Sequence, residues 1–252
     1  MTNTNPLIEI CATNIQSAIA AQNAGAKRIE LCDNLFEGGT APSHGTLQIV
    51  RELLDIEINV MIRPRGSDFC YSDLEFEIMK RDIEFCKTIG VDGVVFGILS
   101  PDGNIDIKRT EELVNISRPL NITFHRAFDM TPDPFRSLEE IIELDIDRIL
   151  TAGQKNTAIE GKEIIGKLIS KADGRIIIMP GSGINEDNIL ELKKGTGATE
   201  FHLTGHKKTD SKMTYRKKGI YMGGISQVHE YEIWVTDEKR IRKIIELLKY
   251  GR

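Results

Sequence analysis

The sequence has few cysteines, few aromatic residues and no long apolar run. Only four of its 252 residues are cysteine and 6% are aromatic, which excludes a disulfide-dense secreted scaffold. No stretch reaches the roughly 20 apolar residues that a membrane-spanning helix needs. The start, Met-Thr-Asn-Thr-Asn, lacks the basic and apolar regions of a signal peptide. We therefore expect a cytoplasmic protein whose cysteines are reduced thiols.

The charge balance excludes little. The net charge of -5 at pH 7 disfavours nucleic acid as a partner, and nothing in the sequence indicates a membrane partner. The hydrophobic content of 40% and the charged content of 28% are those of an ordinary globular protein. A chain of this length buries a sizeable core without a metal or a disulfide. The sequence predicts one domain over residues 1–252.

A short phrase occurs twice near the start of the chain. Ile-Glu-Ile-Cys at 8–11 is repeated as Ile-Glu-Leu-Cys at 29–32. Apolar residues alternate with Glu and Cys in both copies, which is typical of a β-strand. About twenty residues separate the copies, enough for one crossover helix, so the two strands are expected to be parallel and adjacent. In a suitable register, two carboxylates and two thiols would each lie side by side.

Strand and helix patterns alternate eight times along the chain. Eight such units in one domain predict an α/β fold, the (β/α)8 or TIM barrel. A doubly wound open sheet would need fewer units or a second domain, and no linker composition is present. The predicted strands are residues 7–11, 26–32, 58–63, 93–99, 122–127, 148–151, 176–179 and 200–204.

The alternation also predicts which side chains enter the barrel. Catalytic residues of this fold lie at the carboxyl ends of the strands, and stability alone would place Val, Ile or Leu there. The predicted interior residues are Glu9, Cys11, Glu30, Cys32, Met61, Arg63, Thr123, His125, His202 and Thr204. Buried charges need partners, and Arg63 is the expected partner of Glu9 and Glu30.

A polar barrel mouth of this kind indicates a substrate site. The carboxylates and His125 would transfer protons, two close carboxylates could share a proton, and Arg63 would bind an anion. A structural ion-pair network that seals the barrel is the alternative, for which His and Arg at strand ends are poorly suited. The candidate catalytic residues are Glu9, Glu30, Arg63, His125, Asp129 and His202.

Cys11 and Cys32 could together bind a soft metal. Two thiolates on adjacent strands suit Cu(I), whereas zinc usually takes three or four ligands. However, no Cys-Xaa-Xaa-Cys or His-Xaa-Xaa-His spacing is present, and free cysteines are commonly small buried hydrophobes. Spacing alone leaves both interpretations open.

A candidate anion site follows strands 7 and 8, a frequent phosphate site of this barrel. Met-Pro-Gly-Ser-Gly-Ile at 179–184 would let backbone N–H groups approach an anion at a helix N-terminus. A tight turn that requires glycine is the alternative. The candidate phosphate or anion ligands are Gly181, Ser182, Gly183, Thr204 and Gly205.

Residues 206–236 form a connection too long for a plain loop between strand 8 and helix 8. The sequence does not decide between a basic lid over the barrel mouth and a solvated polar loop. The parts in which apolar and polar residues alternate could form a small hairpin. The basic residues considered for the lid are Lys207, Lys208, Arg216, Lys217 and Lys218.

Several long motifs resemble the CutC family, in order from strand 1 to about Arg216. They are Ile-Glu-Leu-Cys at 29–32, Glu-Gly-Gly-Thr-Ala-Pro-Ser at 37–43, Met-Ile-Arg-Pro-Arg-Gly at 61–66, Asp-Phe-Cys-Tyr-Ser-Asp at 68–73, Thr-Phe-His-Arg-Ala-Phe-Asp-Met at 123–130, Leu-Thr-Ala-Gly-Gln at 150–154 and Gly-Ala-Thr-Glu-Phe-His at 197–202. Ser67, Ala152 and Ser182 stand where we expect Gly, Ser and Gly in the family.

The resemblance implies a cytoplasmic (β/α)8 barrel, a homo-oligomer (dimer or tetramer), with a proposed role in copper homeostasis. Copper binding is attributed in the family to a cysteine pair, and Cys11 and Cys32 occupy those motif positions here. Two hypotheses follow. One is a copper-handling protein in which this pair binds Cu(I). The other is an enzyme that acts on a small phosphorylated or carboxylated metabolite by acid/base chemistry.

Overall fold

The computed structural model describes residues 6–222 and 229–251. Within these residues, eight parallel strands form a nearly closed barrel surrounded by helices, which confirms the predicted (β/α)8 fold. All eight predicted strands form, several of them shorter than predicted. They are β1 (Leu7–Ala12), β2 (Arg28–Leu31), β3 (Glu57–Met61), β4 (Gly93–Phe96), β5 (Asn121–Phe124), β6 (Arg148–Thr151), β7 (Ile177–Pro180) and β8 (Glu200–Leu203).

Local sequence signals set the ends of the helices. Ser72 and Glu75 form a capping box at the start of α3 (Asp73–Ile89), and Gly90 ends that helix in the left-handed conformation with a φ of 77°. None of the helices among the described residues has both the length and the apolar character that crossing a membrane requires. The helices are α1 (Ile15–Ala24), α2 (His44–Leu53), α3 (Asp73–Ile89), α4 (Ile107–Ser117), α5 (Pro134–Glu143), α6 (Lys162–Ala172), α7 (Ile189–Thr196) and α8 (Glu238–Tyr250).

Helix α7 begins three residues later than predicted, at Ile189 rather than at 186. The Asn188 side chain accepts a hydrogen bond from the Asn185 N–H at 2.9 Å and donates one to the Gly183 carbonyl at 2.8 Å. Such side-chain bonds offer the backbone an alternative to the helix. The helix N-terminus is therefore separated from the glycine-rich turn after β7.

The strands run in the order β7-β6-β5-β4-β3-β2-β1-β8. In the β1–β2 ladder, Glu9 is level with Arg28 and Cys11 is level with Glu30. The repeated phrase is thus shifted by two residues between its strands, so the two glutamates are not level. β7 and β8 lie next to each other, but no β-bridge joins them in the described part of the chain.

The core lies between the barrel and its helices. Ile10, Ile29 and Phe124 are fully buried there, as the strand alternation predicts. Burial of each such side chain contributes about 1.5–3 kcal/mol. The opposite faces of the same strands point into the barrel and carry the polar side chains.

The segment between β8 and α8 starts with strand β9 (His206–Asp210) and finishes with strand β10 (Glu232–Thr236). The two strands pair as an antiparallel hairpin. Asn14 donates to the Trp234 carbonyl at 3.0 Å, and the Thr236 N–H donates to the Ser17 hydroxyl at 3.0 Å. The hairpin is thereby attached to α1. Residues 223–228 of the predicted lid lie outside the described residues.

Candidate functional site

A cavity of about 360 Å³ opens at the carboxyl ends of the strands. None of the described residues of the 206–236 connection lines it, so this part of the predicted lid does not contribute to the cavity wall. Strand alternation accounts for most of its polar lining. The predicted site residues in the wall are Cys11, Glu30, Arg63, His125, Ser182, Gly183, His202 and Thr204.

Below this cavity lies a layer of buried ion pairs, the inner layer, made of Glu9, Arg28, Arg148 and Glu200. Arg28 donates through Nε to Glu9 at 2.5 Å and through Nη2 to Glu200. Arg148 donates through Nε to Glu200 at 2.6 Å. Asn59 adds a hydrogen bond to Glu9 at 3.0 Å. Each carboxylate of the inner layer is therefore bound by at least one guanidinium.

The expected pairing of Arg63 with Glu9 and Glu30 is wrong. The two-residue shift of the β1–β2 register brings Arg28 level with Glu9, and Arg28 supplies the positive charge. Arg63 instead donates to the carbonyl oxygens of Glu37, Gly39 and Ser67, each at 2.7 Å.

His202 connects the inner layer to the cavity. Its Nδ1 lies 2.8 Å from a Glu9 oxygen, and its Nε2 lies 3.7 Å from a Glu30 oxygen. Burial disfavours the imidazolium, but the charges of Glu30 and Glu9 outweigh this and raise the pKa of His202. Burial likewise favours the neutral form of Glu9, yet Arg28 and His202 prevail and hold the pKa of Glu9 below its usual range.

Glu30 is the carboxyl group that titrates near neutrality. Burial raises its pKa to about 7, with the charge of Glu9 adding to the effect and that of His202 opposing it. Its Oε1 has no hydrogen-bond partner among the described residues. Glu30 is therefore placed to gain or lose a proton inside the cavity.

His125 is a neutral hydrogen-bond donor. Its Nδ1 accepts a hydrogen bond from the Ala127 N–H at 3.2 Å, which places the remaining proton on Nε2. Burial and the nearby charge of Arg63 lower the pKa of His125 to about 3. This disfavours the predicted proton-transfer role and favours a role in orienting a ligand.

Asp129 lies beside the cavity but does not line it. Its carboxylate accepts hydrogen bonds from the N–H groups of Ala152 and Gln154, from the Thr151 hydroxyl at 2.5 Å and from Arg126 at 2.7 Å. The bonds from Thr151, Ala152 and Gln154 hold the end of β6 and the loop after it, whereas the bond from Arg126 lies within the segment after β5. The geometry thus favours a positioning role over the predicted catalytic one.

Cys11 and Cys32 lie together although their strands are shifted. Their Sγ atoms are 3.4 Å apart, and both residues share a small buried cluster with Met61 and Val95. A Glu30 oxygen lies within 4.8 Å of both sulfurs. The hydrogen bond to Cys32, burial and the neighbouring carboxylates raise the pKa of the Cys11 thiol. Without a cation, Cys11 is therefore a neutral thiol at pH 7.

The predicted anion loop is only partly in the cavity. Ser182, Gly183 and Thr204 line it, whereas Gly181 and Gly205 do not. Ser182 has a φ of 79°, in the left-handed region that favours glycine, which fits our expectation of Gly there in the family. Its hydroxyl donates to the Asn156 carbonyl at 2.7 Å, so the turn is held by its own contacts.

Sequence reasoning missed most of the inner layer. Arg28 and Glu200 each lie two residues before a predicted interior residue, so extending the same alternation along β2 and β8 would have found them. Phe69, which also lines the cavity, lies in an irregular loop and carries no periodic signal.

The comparisons with known proteins agree with one another. The CutC family model matches residues 6–207. The copper homeostasis protein cutC homolog of Homo sapiens is 46% identical over 243 residues, covering 96% of this chain and 89% of that protein. The family protein CutC of Parabacteroides distasonis is 47% identical over 240 residues, covering 95% of this chain and 99% of that protein.

A solved structure resembles most of this chain. The crystal structure of CutC from Streptococcus agalactiae has a TM-score of 0.76 and 37% sequence identity. The alignment covers 79% of this chain and 98% of that one.

Proposed function

This chain belongs to the CutC family, and we propose that it takes part in copper homeostasis by binding Cu(I) through Cys11 and Cys32. The observation that carries the proposal is the 3.4 Å separation of the two buried Sγ atoms. Met61 adds a thioether to the same cluster. Soft thiolate and thioether donors select Cu(I) over harder ions such as Mg²⁺ and Ca²⁺.

The surrounding charges also suit a cation. Glu9 and Glu30 disfavour the Cys11 thiolate when no cation is present. A bound Cu(I) offsets that repulsion, and the thiol proton is released on binding. The apparent affinity is therefore expected to increase with pH. A reducing cytoplasm would keep both thiols available.

Anaerobic titration of the reduced protein with Cu(I), against a competing chelator, tests this proposal. The variant with both Cys11→Ser and Cys32→Ser is expected to lose nearly all Cu(I) affinity. The matched control carries Cys70→Ser and Cys86→Ser, which removes two thiols but keeps the pair. Undiminished binding in the Cys11→Ser, Cys32→Ser variant would reject the proposal, and thermal unfolding checks that both variants fold.

A separate observation favours a second function. Three buried polar atoms in residues that line the cavity have no partner in the described part of the chain: Glu30 Oε1, Arg63 Nε and His125 Nε2. Sulfur ligation of copper would leave the atoms of Arg63 and His125 unpartnered, at a cost of about 1–3 kcal/mol each. We propose that the cavity also takes a small anionic metabolite, carboxylated or phosphorylated. Glu30 and His202 would serve as its acid/base pair.

Small molecules retained through gel filtration can be identified by mass spectrometry and added back to the protein. We expect retained organic acids or phosphate esters that the parent protein converts and that Glu30→Gln binds without converting. Glu30→Gln keeps the size of the side chain and removes only its ionisation. Retention of no anionic molecule would contradict this second proposal.

The cytoplasmic location and the homo-oligomeric state, a dimer or tetramer, stay predictions. Light scattering at micromolar concentration tests the second. A clean monomer there would contradict it.

A further inference from the structure

One wall of the cavity, the cationic wall, consists of Arg63, Phe69 and His125. The guanidinium carbon of Arg63 lies 4.9 Å from the centre of the Phe69 ring. The rings of Phe69 and His125 have their centres 5.0 Å apart. All three side chains line the cavity, on residues other than those proposed to bind copper. The wall therefore forms one continuous packed surface.

Arg63 forms no direct ion pair with a carboxylate of the described residues, although its charge acts on the exposed Asp68. The residue is 3% exposed, and no carboxylate of the described residues lies within 4.0 Å of its side-chain nitrogens. Its Nη atoms donate to carbonyl oxygens, and its Nε has no partner. Arg28 is equally buried but is bound by the carboxylates of Glu9 and Glu200, with that of Glu57 3.7 Å away. A buried cation without a counter-ion is costly, and an anion from outside the chain would remove that cost.

His125 offers a second fixed donor. Its Nε2–H is buried and unpartnered, because Nδ1 is held by the Ala127 N–H. A methyl group added at Gly97 would lie 2.6 Å from His125 Nδ1, so the ring packs closely against the backbone of the strand 4 region. The imidazole is therefore held in place before any ligand arrives.

We infer that the cationic wall binds the carboxylate of a small organic acid, with Arg63 Nε–H and His125 Nε2–H as donors and Phe69 packed beside it. The residues of this wall carry two buried N–H donors without a partner among the described residues, and a carboxylate has two oxygens to accept from them, whereas a phosphate presents three. Charged donors and a planar carboxylate also form the stronger class of hydrogen bond. The rest of the molecule would face Glu30 and His202 across the cavity. This inference rests on the second proposed function and specifies which group is bound and where.

Pyruvate, acetate, acetamide and inorganic phosphate are suitable probes for the full-length protein. Binding is measured by ligand-observed NMR, and the ¹⁵N signal of His125 Nε2 reports on the site. We expect pyruvate and acetate to bind competitively and to shift that signal. Neutral acetamide, which has the same size as acetate, should do neither. Phosphate that binds more tightly than pyruvate at these residues would overturn the carboxylate assignment.

Variants separate this inference from the other proposals. Arg63→Met is expected to weaken pyruvate binding about 10- to 100-fold, the size of a charged hydrogen bond. His125→Phe should weaken it as well and serves as the second variant if Arg63→Met does not fold. Arg81→Met removes the same charge from an exposed helix position and should change nothing.

If Arg63→Met and His125→Phe both bind pyruvate as the parent does, this inference is wrong while the anionic-metabolite proposal stands. If the parent binds none of the anions, both are wrong.

Discussion

The barrel interior holds two layers of charged residues that differ in how their charges are satisfied. In the inner layer, Arg28 and Arg148 are bound to the carboxylates of Glu9 and Glu200. In the cavity above, Glu30 and Arg63 each keep a buried polar atom without a partner among the described residues. Both layers are almost equally buried, so burial alone does not distinguish them.

The difference indicates which layer is built for a ligand. Paired buried charges stabilise one arrangement of the strands and leave nothing for another molecule to bind. Unpartnered buried groups cost free energy that a ligand can recover. The inner layer is thus the structural ion-pair network considered from the sequence, and the cavity above it stays the candidate for the substrate site.

The largest expected effect comes from breaking the inner layer. Arg28→Met should destabilise the protein by about 3–5 kcal/mol, because two buried carboxylates lose their guanidinium. Urea denaturation measures this loss. Arg81→Met, at an exposed position, should change the free energy of unfolding by less than about 0.5 kcal/mol. A cost for Arg28→Met below about 1 kcal/mol would mean that the inner layer is not held by these pairs.

Asp129→Asn should have the next largest effect, a loss of about 1.5–3 kcal/mol, because an amide cannot accept all the hydrogen bonds of the loop after β6. The same urea experiment measures it. Since Asp129 does not line the cavity, Cu(I) affinity should stay within about threefold of the parent value. A large loss of Cu(I) affinity with an unchanged free energy of unfolding would show that Asp129 contributes directly to ligand binding.

Glu30→Gln should have a smaller effect of opposite sign. The pKa of Glu30 is raised from 4.5 to about 7 on folding, so the folded protein holds this proton more tightly than the unfolded chain. Ionisation therefore removes stability as the pH rises from about 4.5 to about 7. Glutamine cannot ionise, and the variant should gain about 1–3 kcal/mol relative to the parent between pH 5 and pH 8. Unfolding curves with the same pH dependence for both proteins would contradict the raised pKa.

The smallest expected effect is a difference in the reactivity of the four thiols, which thiol labelling measures without destabilising the protein. Cys70 is exposed, whereas Cys11, Cys32 and Cys86 are buried. One thiol per chain should react quickly at pH 8 in the folded protein, and all four should react after unfolding. Mass spectrometry of the labelled peptides identifies the fast thiol. Fast labelling of Cys11 would show that the pair is more open than its burial indicates.

The fold and much of the cavity could be predicted because both follow from period-two alternation on short strands. That alternation places Glu30, Arg63, His125 and His202 inside the barrel, and the structure brings all four to one cavity. The pairing of charges could not be predicted in the same way. It depends on the register between neighbouring strands. Because the β1–β2 register is shifted by two residues, Glu9 forms its ion pair with Arg28 and not with Arg63.

Loop residues were the other limit. Phe69 and the hydrogen bonds of Asp129 are set by irregular backbone, where neighbouring positions follow no fixed direction. His125 was found, but its protonation depends on a backbone N–H two residues away. The sequence therefore predicted that the His125 side chain lies in the cavity, but it did not predict its chemical role.

Among the described residues, the edge between β7 and β8 lacks the β-bridges that join the other neighbouring strands of the barrel. Everywhere else around the ring, neighbouring strands are tied by backbone hydrogen bonds. In the described part of the chain, separating the strands at this edge would break no ladder hydrogen bond. Ser182 and Thr204 stand beside that edge, while Arg63 stands on the bonded side, between β3 and the loops that receive its hydrogen bonds. Ligands of different length could thus be bound at the Arg63 side of the cavity and accommodated by movement of the strands at the β7–β8 edge.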